Sequence, residues 1–144
     1  MFIGEYQHVL DNKKRVAVPA KFRTQFKKGI VVTRGLDGCL FVYPQSEWKK
    51  IAEKLGSLPV GEKGTRSFIR MVLAGATDSK LDSQGRVLIP DYLKKYADLN
   101  KEVVVAGLFN RLEIWDKKIW EKYKKGAEKN QDEVAEQLGR LGMY

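Results

Sequence analysis

Tyr6, His8 and Leu10 alternate with Gln7, Val9 and Asp11, the period-two pattern of a strand rather than of a catalytic loop. A charged stretch, DNKKR, interrupts the pattern, and Val16 and Val18 resume it up to Pro19. Proline at the first position of a helical turn lacks only an N–H that has no partner there, so Pro19 predicts a switch from strand to short helix. Phe22 and Phe26, four apart, give that helix one apolar face. GIVVTRGLDGCLFVYP reads as two apolar strands around a glycine-containing turn, and SEWKKIAEKL as a helix with Trp48, Ile51, Ala52 and Leu55 facing the core.

The same pattern is then written a second time. A shift of 71 residues aligns Gly4 with Gly75, Leu10 with Leu81, Asp11 with Asp82, Arg15 with Arg86, Val16 with Val87 and Pro19 with Pro90. After a one-residue insertion, a shift of 72 aligns Val31, Val32, Gly35, Leu36, Leu40 and Trp48 with Val103, Val104, Gly107, Leu108, Leu112 and Trp120. Apolar periodicity alone does not reproduce matched Asp, Arg, Pro, Gly and Trp, so the chain is a tandem repeat. The expected divisions are a first half, 1–55; a linker, 56–71, where turn-rich GSLPVGEKG leads into a helix; a second half, 72–125; and a C-terminal helix, 126–144, with an apolar stripe of Val134, Leu138 and Leu141.

A unit of about 48 residues buries too little surface to be stable alone, and its short strands leave open edges. The halves are therefore expected to complete each other. The predicted fold is mainly β with short α-helices: two interlocked hairpin halves forming one pseudo-twofold barrel, with DNKKR and DSQGR at related turns, plus the helical linker and the C-terminal helix.

Composition narrows the chemistry. A chain of 144 residues that is 43% hydrophobic folds, and no apolar run approaches the roughly 20 residues that span a bilayer. The start, MFIGEYQHVLD, lacks the features of a signal peptide, so a cytoplasmic protein is expected. His8 and Cys39 are the single residues of their types, which leaves no disulfide framework, no Cys/His metal site and no expected cofactor. Cys39 lies in an apolar strand and is expected to be buried. A hydrolase or transferase built on Asp11, Asp78 and Asp82 lacks a glycine-rich phosphate loop or nucleophile motif, so no catalytic residue is assigned and no enzyme is expected.

The net charge is +9, and it is uneven: residues 1–71 carry 14 basic and 6 acidic side chains, residues 72–144 carry 13 and 12. Lys49, Lys50, Lys54, Lys117, Lys118, Lys124 and Lys125 fit outer helix faces. Lys13, Lys14, Arg15, Lys21 and Arg23 place five cations in eleven residues around one turn, a density that suits a phosphate backbone. A membrane-binding helix would interleave such charges with a broad apolar face, and this segment holds a strand and a proline instead. Within the turns, Asp11 and Asp82 can accept bonds from turn N–H groups while Arg15 and Arg86 return four residues later. Gly85 supplies the positive φ such a turn often needs; Lys14 in its place costs about 1 kcal/mol if the angle is kept.

MFIGEYQHVLDNKKRVAVPAKFR, AGATDSKLDSQGRVLIP and LFNRLEIWDKKIW together resemble the two halves of the MraZ family across nearly the whole chain. The resemblance implies paired swapped-hairpin domains of the AbrB type and a bacterial transcriptional regulator at the promoter of the division and cell-wall gene cluster, its own included. It also implies nucleoid association and a ring-shaped, octamer-like homo-oligomer on repeated boxes of double-stranded DNA. Lys14 departs from the family's usual D-x-K-G-R. The expected DNA-binding residues are Arg15, Lys13, Lys14, Arg86, Lys21 and Arg23, with Asp11, Asp82 and Gly85 shaping the turns; Arg15 is expected to outweigh Arg86. An antitoxin-like protein-interaction module of the AbrB type is the alternative, disfavoured by a short, charge-balanced tail patterned as a helix.

Overall fold

The computed structural model describes residues 1–143; Tyr144, at the end of the expected C-terminal segment, lies outside the described residues. The strands are β1 (Phe2–Val9), β2 (Arg15–Ala17), β3 (Ile30–Arg34), β4 (Leu40–Pro44), β5 (Thr77–Ser79), β6 (Arg86–Leu88), β7 (Glu102–Phe109) and β8 (Leu112–Asp116). The helices are α1 (Gln45–Gly56), α2 (Lys63–Ala74), α3 (Asp91–Tyr96), α4 (Lys117–Lys129) and α5 (Gln131–Arg140), with a 3-10 helix at Ala20–Phe26. Pro19 and Pro90 stand at the caps of their helices, one residue earlier than expected. The residue before a proline is pushed to extended backbone, so Val18 and Ile89 prolong the strand path and turning begins only after the ring.

The chain is mainly β. Six strands form an antiparallel sheet in the order β1-β7-β8-β4-β3-β5, and β2 and β6 form a separate two-stranded ribbon. By the sequence repeat, β1 corresponds to β5, β2 to β6, β3 to β7 and β4 to β8. Exchanging each strand for its counterpart returns the same order read from the other edge. Only the hairpins β3–β4 and β7–β8 pair within a half; β1 pairs with β7, β5 with β3, β2 with β6 and β4 with β8.

The expected closed barrel is not found. β1 and β5 are the two edges of the sheet and do not pair with each other. β5 has three residues against the eight of β1, and at Leu10 and Leu81 the chain leaves the sheet for the Asp–Arg turns that build the ribbon.

The ribbon and the sheet enclose one core. Val16 and Val18 from the first half meet Val87, Ile89 and Leu93 from the second, and all are nearly inaccessible to solvent. Phe2 stacks on Phe26 at 5.4 Å between ring centroids and meets Phe22 edge-on at 5.1 Å, so the predicted apolar face of the first short helix is core. A smaller cluster on the other side of the sheet joins Cys39, Phe41, Tyr43 and Trp115 to Trp48 and Ile51 of α1 and Trp120 of α4. Cys39 is buried there, and desolvation pushes its thiol pKa upward. The predicted C-terminal stripe behaves differently: Val134 on α5 and Leu141 at its C-cap are exposed, and α5 buries no residue.

Burying one valine or isoleucine side chain is worth about 1.5–3 kcal/mol, and neither half can bury its ribbon residues without the other. Residues 1–60 alone are therefore expected to show no cooperative thermal transition as a monomer. A sharp melt at low concentration, with sedimentation as monomer, would contradict the interdependence of the halves.

Candidate nucleic-acid interface

The two D-x-x-x-R turns are built alike. Asp11 Oδ1 accepts from the backbone N–H groups of Lys13 and Arg15 at 2.9 Å each, and its Oδ2 accepts from Arg15 Nε at 2.9 Å. Asp82 Oδ1 accepts from Gln84 and Arg86 N–H at 2.9 Å each, and its Oδ2 from Arg86 Nε at 2.8 Å. Each aspartate thus closes its own turn, which its backbone N–H reinforces by donating to the carbonyl of the arginine at 3.0 Å. The turns also reach across: Arg15 Nη1 lies 3.9 Å from Asp82 Oδ2, and Arg86 Nη1 lies 3.7 Å from Asp11 Oδ2. Four side chains from the two halves form one charge-neutral quartet, each of them 26–31% exposed.

Hydrogen bonds explain the electrostatics of the quartet. The Arg15 backbone N–H holds the Asp11 carboxyl below the usual carboxylate range, with the guanidinium and the Lys13 N–H adding to it. Arg86 and Gln84 do the same for Asp82. Lys14 keeps the turn's left-handed angle, φ 61°, against 75° at Gly85, so the first turn has the shape of the second at a strain of about 1 kcal/mol. The Arg23 side chain also packs on Gly85. A Cβ there would stand 2.1 Å from Arg23 Nε, because the Arg23 side chain lies across the glycine and donates to the Val18 carbonyl at 3.0 Å.

The remaining predicted cations are dispersed rather than pooled. Lys14 forms an ion pair with Asp91 at the start of α3, a residue that the repeat pattern does not single out because its counterpart in the first half is Ala20. Lys21 Nζ lies over the rings of Tyr6 and Phe22, about 5 Å from each centroid. Lys13 is exposed, with no ion-pair partner among the described residues. His8, half-buried on β1 opposite Val103, has its pKa lowered by burial and by Arg23. Asp78 sits on β5 opposite Val31 and takes no part in the quartet's ion pairs.

The chain has known relatives. A family model described as "MraZ protein, putative antitoxin-like" matches the chain twice, over residues 1–71 and 72–141. The chain belongs to the MraZ family. The transcriptional regulator MraZ of Halothermothrix orenii is 49% identical over 143 residues, covering 99% of this chain and 100% of that protein. The transcriptional regulator MraZ of Oenococcus oeni is 52% identical over 138 residues, 96% of each chain. That of Pediococcus pentosaceus is 49% identical over 143 residues, again covering 99% of this chain and all of that protein. These MraZ relatives are named as regulators and not as enzymes, and no helix among the described residues here is long and apolar enough to cross a membrane.

Asp11 and Asp82 have folded pKa values below their unfolded value of about 4, so the stability they contribute is complete above that pH and is lost as pH falls through the folded values. We expect the thermal midpoint of the Asp11→Asn/Asp82→Asn variant to lie below that of the unmodified chain at neutral pH, and the gap to close below about pH 4. Melting curves across that range check this; a gap independent of pH would remove the carboxylates from the account.

Proposed function

We propose that this chain is a sequence-specific DNA-binding transcriptional regulator without catalytic activity, and that the face carrying the two D-x-x-x-R turns meets double-stranded DNA. One observation carries the reading: the quartet fixes two arginine side chains at related turns on a single face, with further cations beside them. A guanidinium whose Nε is already held by a carboxylate loses little freedom on binding, while its Nη groups remain to meet a base edge or a phosphate. The names of the MraZ relatives support the regulatory role.

The finer reading rests on the same supports. The two halves are related as swapped hairpins of the AbrB type about a pseudo-twofold axis, which the strand order, identical from either edge, favours. The protein acts in the cytoplasm at the nucleoid, on repeated boxes in the promoter of the division and cell-wall genes, its own included, as a ring-shaped homo-oligomer. The family's antitoxin-like description fits an AbrB-type module as well. A tail that wraps a toxin would be extended, however, and residues 117–140 are occupied by α4 and α5.

The quartet holds Arg15 and Arg86 alike, so any difference between them comes from their neighbours, Lys13 and Lys14 on one side and Gln84 and Gly85 on the other. We expect Arg15→Ala to abolish binding to the upstream promoter in gel shifts, and Arg86→Ala to weaken it less. If Arg15 meets a guanine, the loss is about 1–3 kcal/mol and discrimination relaxes; if it meets a phosphate, the salt slope falls by about one on every sequence. Melting curves and Arg15→Lys, which keeps the charge, separate contact from turn collapse. Normal binding by Arg15→Ala, or a larger loss for an equally folded Arg86→Ala, would misplace the interface.

A closed oligomer presents several such faces to an array of boxes and gains about 10² to 10⁴ in apparent affinity over one box. Light scattering and titration of one box against correctly spaced boxes test this. A monomer that binds one box as tightly as the array would end the ring reading.

A further inference from the structure

The strand exchange places cations of one half beside the turn of the other. A groove of about 520 Å³ lies against the first turn, lined on one side by Leu10, Asp11, Asn12 and Lys14 and on the other by Lys94 and Lys101 of the second half. The segment between α3 and β7 is tied there because the Leu10 N–H donates to the Lys101 carbonyl at 2.8 Å. Of the charged groups in the groove, Asp11 is saturated by its own turn and Lys14 is paired with Asp91. Lys94 and Lys101 have no ion-pair partner among the described residues, and Lys101 is exposed while Lys94 is half-buried. The groove therefore carries net positive charge above an apolar floor of Leu10 and Leu99.

The repeat provides a second observation. Shifted by 71 or 72 residues, the lining maps onto the other turn: Val9 becomes Lys80, Lys94 becomes Arg23, and Leu99 and Asn100 become Lys27 and Lys28. The Arg23 side chain does lie across Gly85 of that turn, as this mapping requires. Residue types differ between the two sides, yet each turn has a cation of the opposite half beside it, Arg23 at the second turn and Lys94 at the first. That arrangement suits a polyanion crossing the quartet from one side to the other.

From this we infer that the groove between the first Asp–Arg turn and the α3–β7 segment seats a DNA backbone phosphate, with Lys94 and Lys101 as its contacts. The inference rests on the DNA-binding reading above and adds second-half residues to an interface whose expected cations came chiefly from the first half. Phosphate contacts act through released counterions and are blind to sequence.

The test uses the full-length chain, with binding to promoter duplex and to a scrambled duplex measured by fluorescence anisotropy across a salt series. Lys94→Gln/Lys101→Gln, which keeps chain length and polarity, is compared with Lys49→Gln/Lys50→Gln on α1. We expect the first variant to lose about one unit of the log-affinity against log-salt slope on both duplexes, as one phosphate contact requires, with an unchanged melting midpoint, and the second to retain the full slope. An unchanged slope in a Lys94/Lys101 variant that folds and binds overturns the inference alone; a loss confined to the promoter duplex also overturns it, since that is base readout. Failure of the unmodified chain to bind either duplex defeats the DNA reading itself. A free anion is distinguished by adding inorganic phosphate: competition at millimolar phosphate and constant ionic strength, with no change of slope in the variant, assigns the groove to a small anion and overturns the backbone contact.

Discussion

Everything in this fold depends on a three-residue ribbon. β2 and β6 meet through Val16 opposite Val87, and each strand is too short to persist without what flanks it. On the inner side the valines close the shared core; on the outer side the Asp–Arg quartet ties the two turns together. The ribbon is the point at which burial and the candidate binding surface become the same problem. A turn that loosened would uncover Val16 and Val87, and a core that loosened would scatter the arginines.

Duplication made the fold legible in the sequence. Matched Asp, Arg and Pro marked both turns and both strand-to-helix switches, and the apolar spacing of Trp48, Ile51 and Leu55 located α1. Closure into a barrel was misjudged because the repeat is not even: β1 has eight residues and its counterpart β5 has three, and alternation in one copy says nothing about how far pairing extends in the other. Val134 and Leu138 fall within α5 and Leu141 at its C-cap, but periodicity fixes a helix face and not what covers it.

The candidate site was only half legible, for a related reason. Spacing four apart made the Asp11–Arg15 and Asp82–Arg86 pairs visible, whereas the cross-pairs between turns depend on the exchange of strands. The same exchange hid the Lys14–Asp91 pair and the position of Arg23 over Gly85. Counting charge by sequence half placed most of the expected cations in the first half. In space that division dissolves, because Arg23 serves the second turn while Lys94 and Lys101 stand at the first.

On the proposed DNA-binding reading, a neutral quartet with cations beside it separates two tasks that a uniform patch of lysines would merge. Exposed ammonium groups gain affinity for any duplex by displacing counterions, and they hold no fixed direction. Arginines held by Asp11 and Asp82 contribute no net charge to long-range attraction, yet they are oriented before DNA arrives. Discrimination between base pairs needs that orientation, since a bidentate guanidinium rewards one donor and acceptor pattern and a mobile one averages over several. On that reading the quartet gives up attraction for direction, and the cations beside it restore the attraction without sequence preference. Strain at Lys14 fits this division: the left-handed turn is retained at about 1 kcal/mol because the backbone N–H groups that hold Asp11, and through it Arg15, depend on that shape.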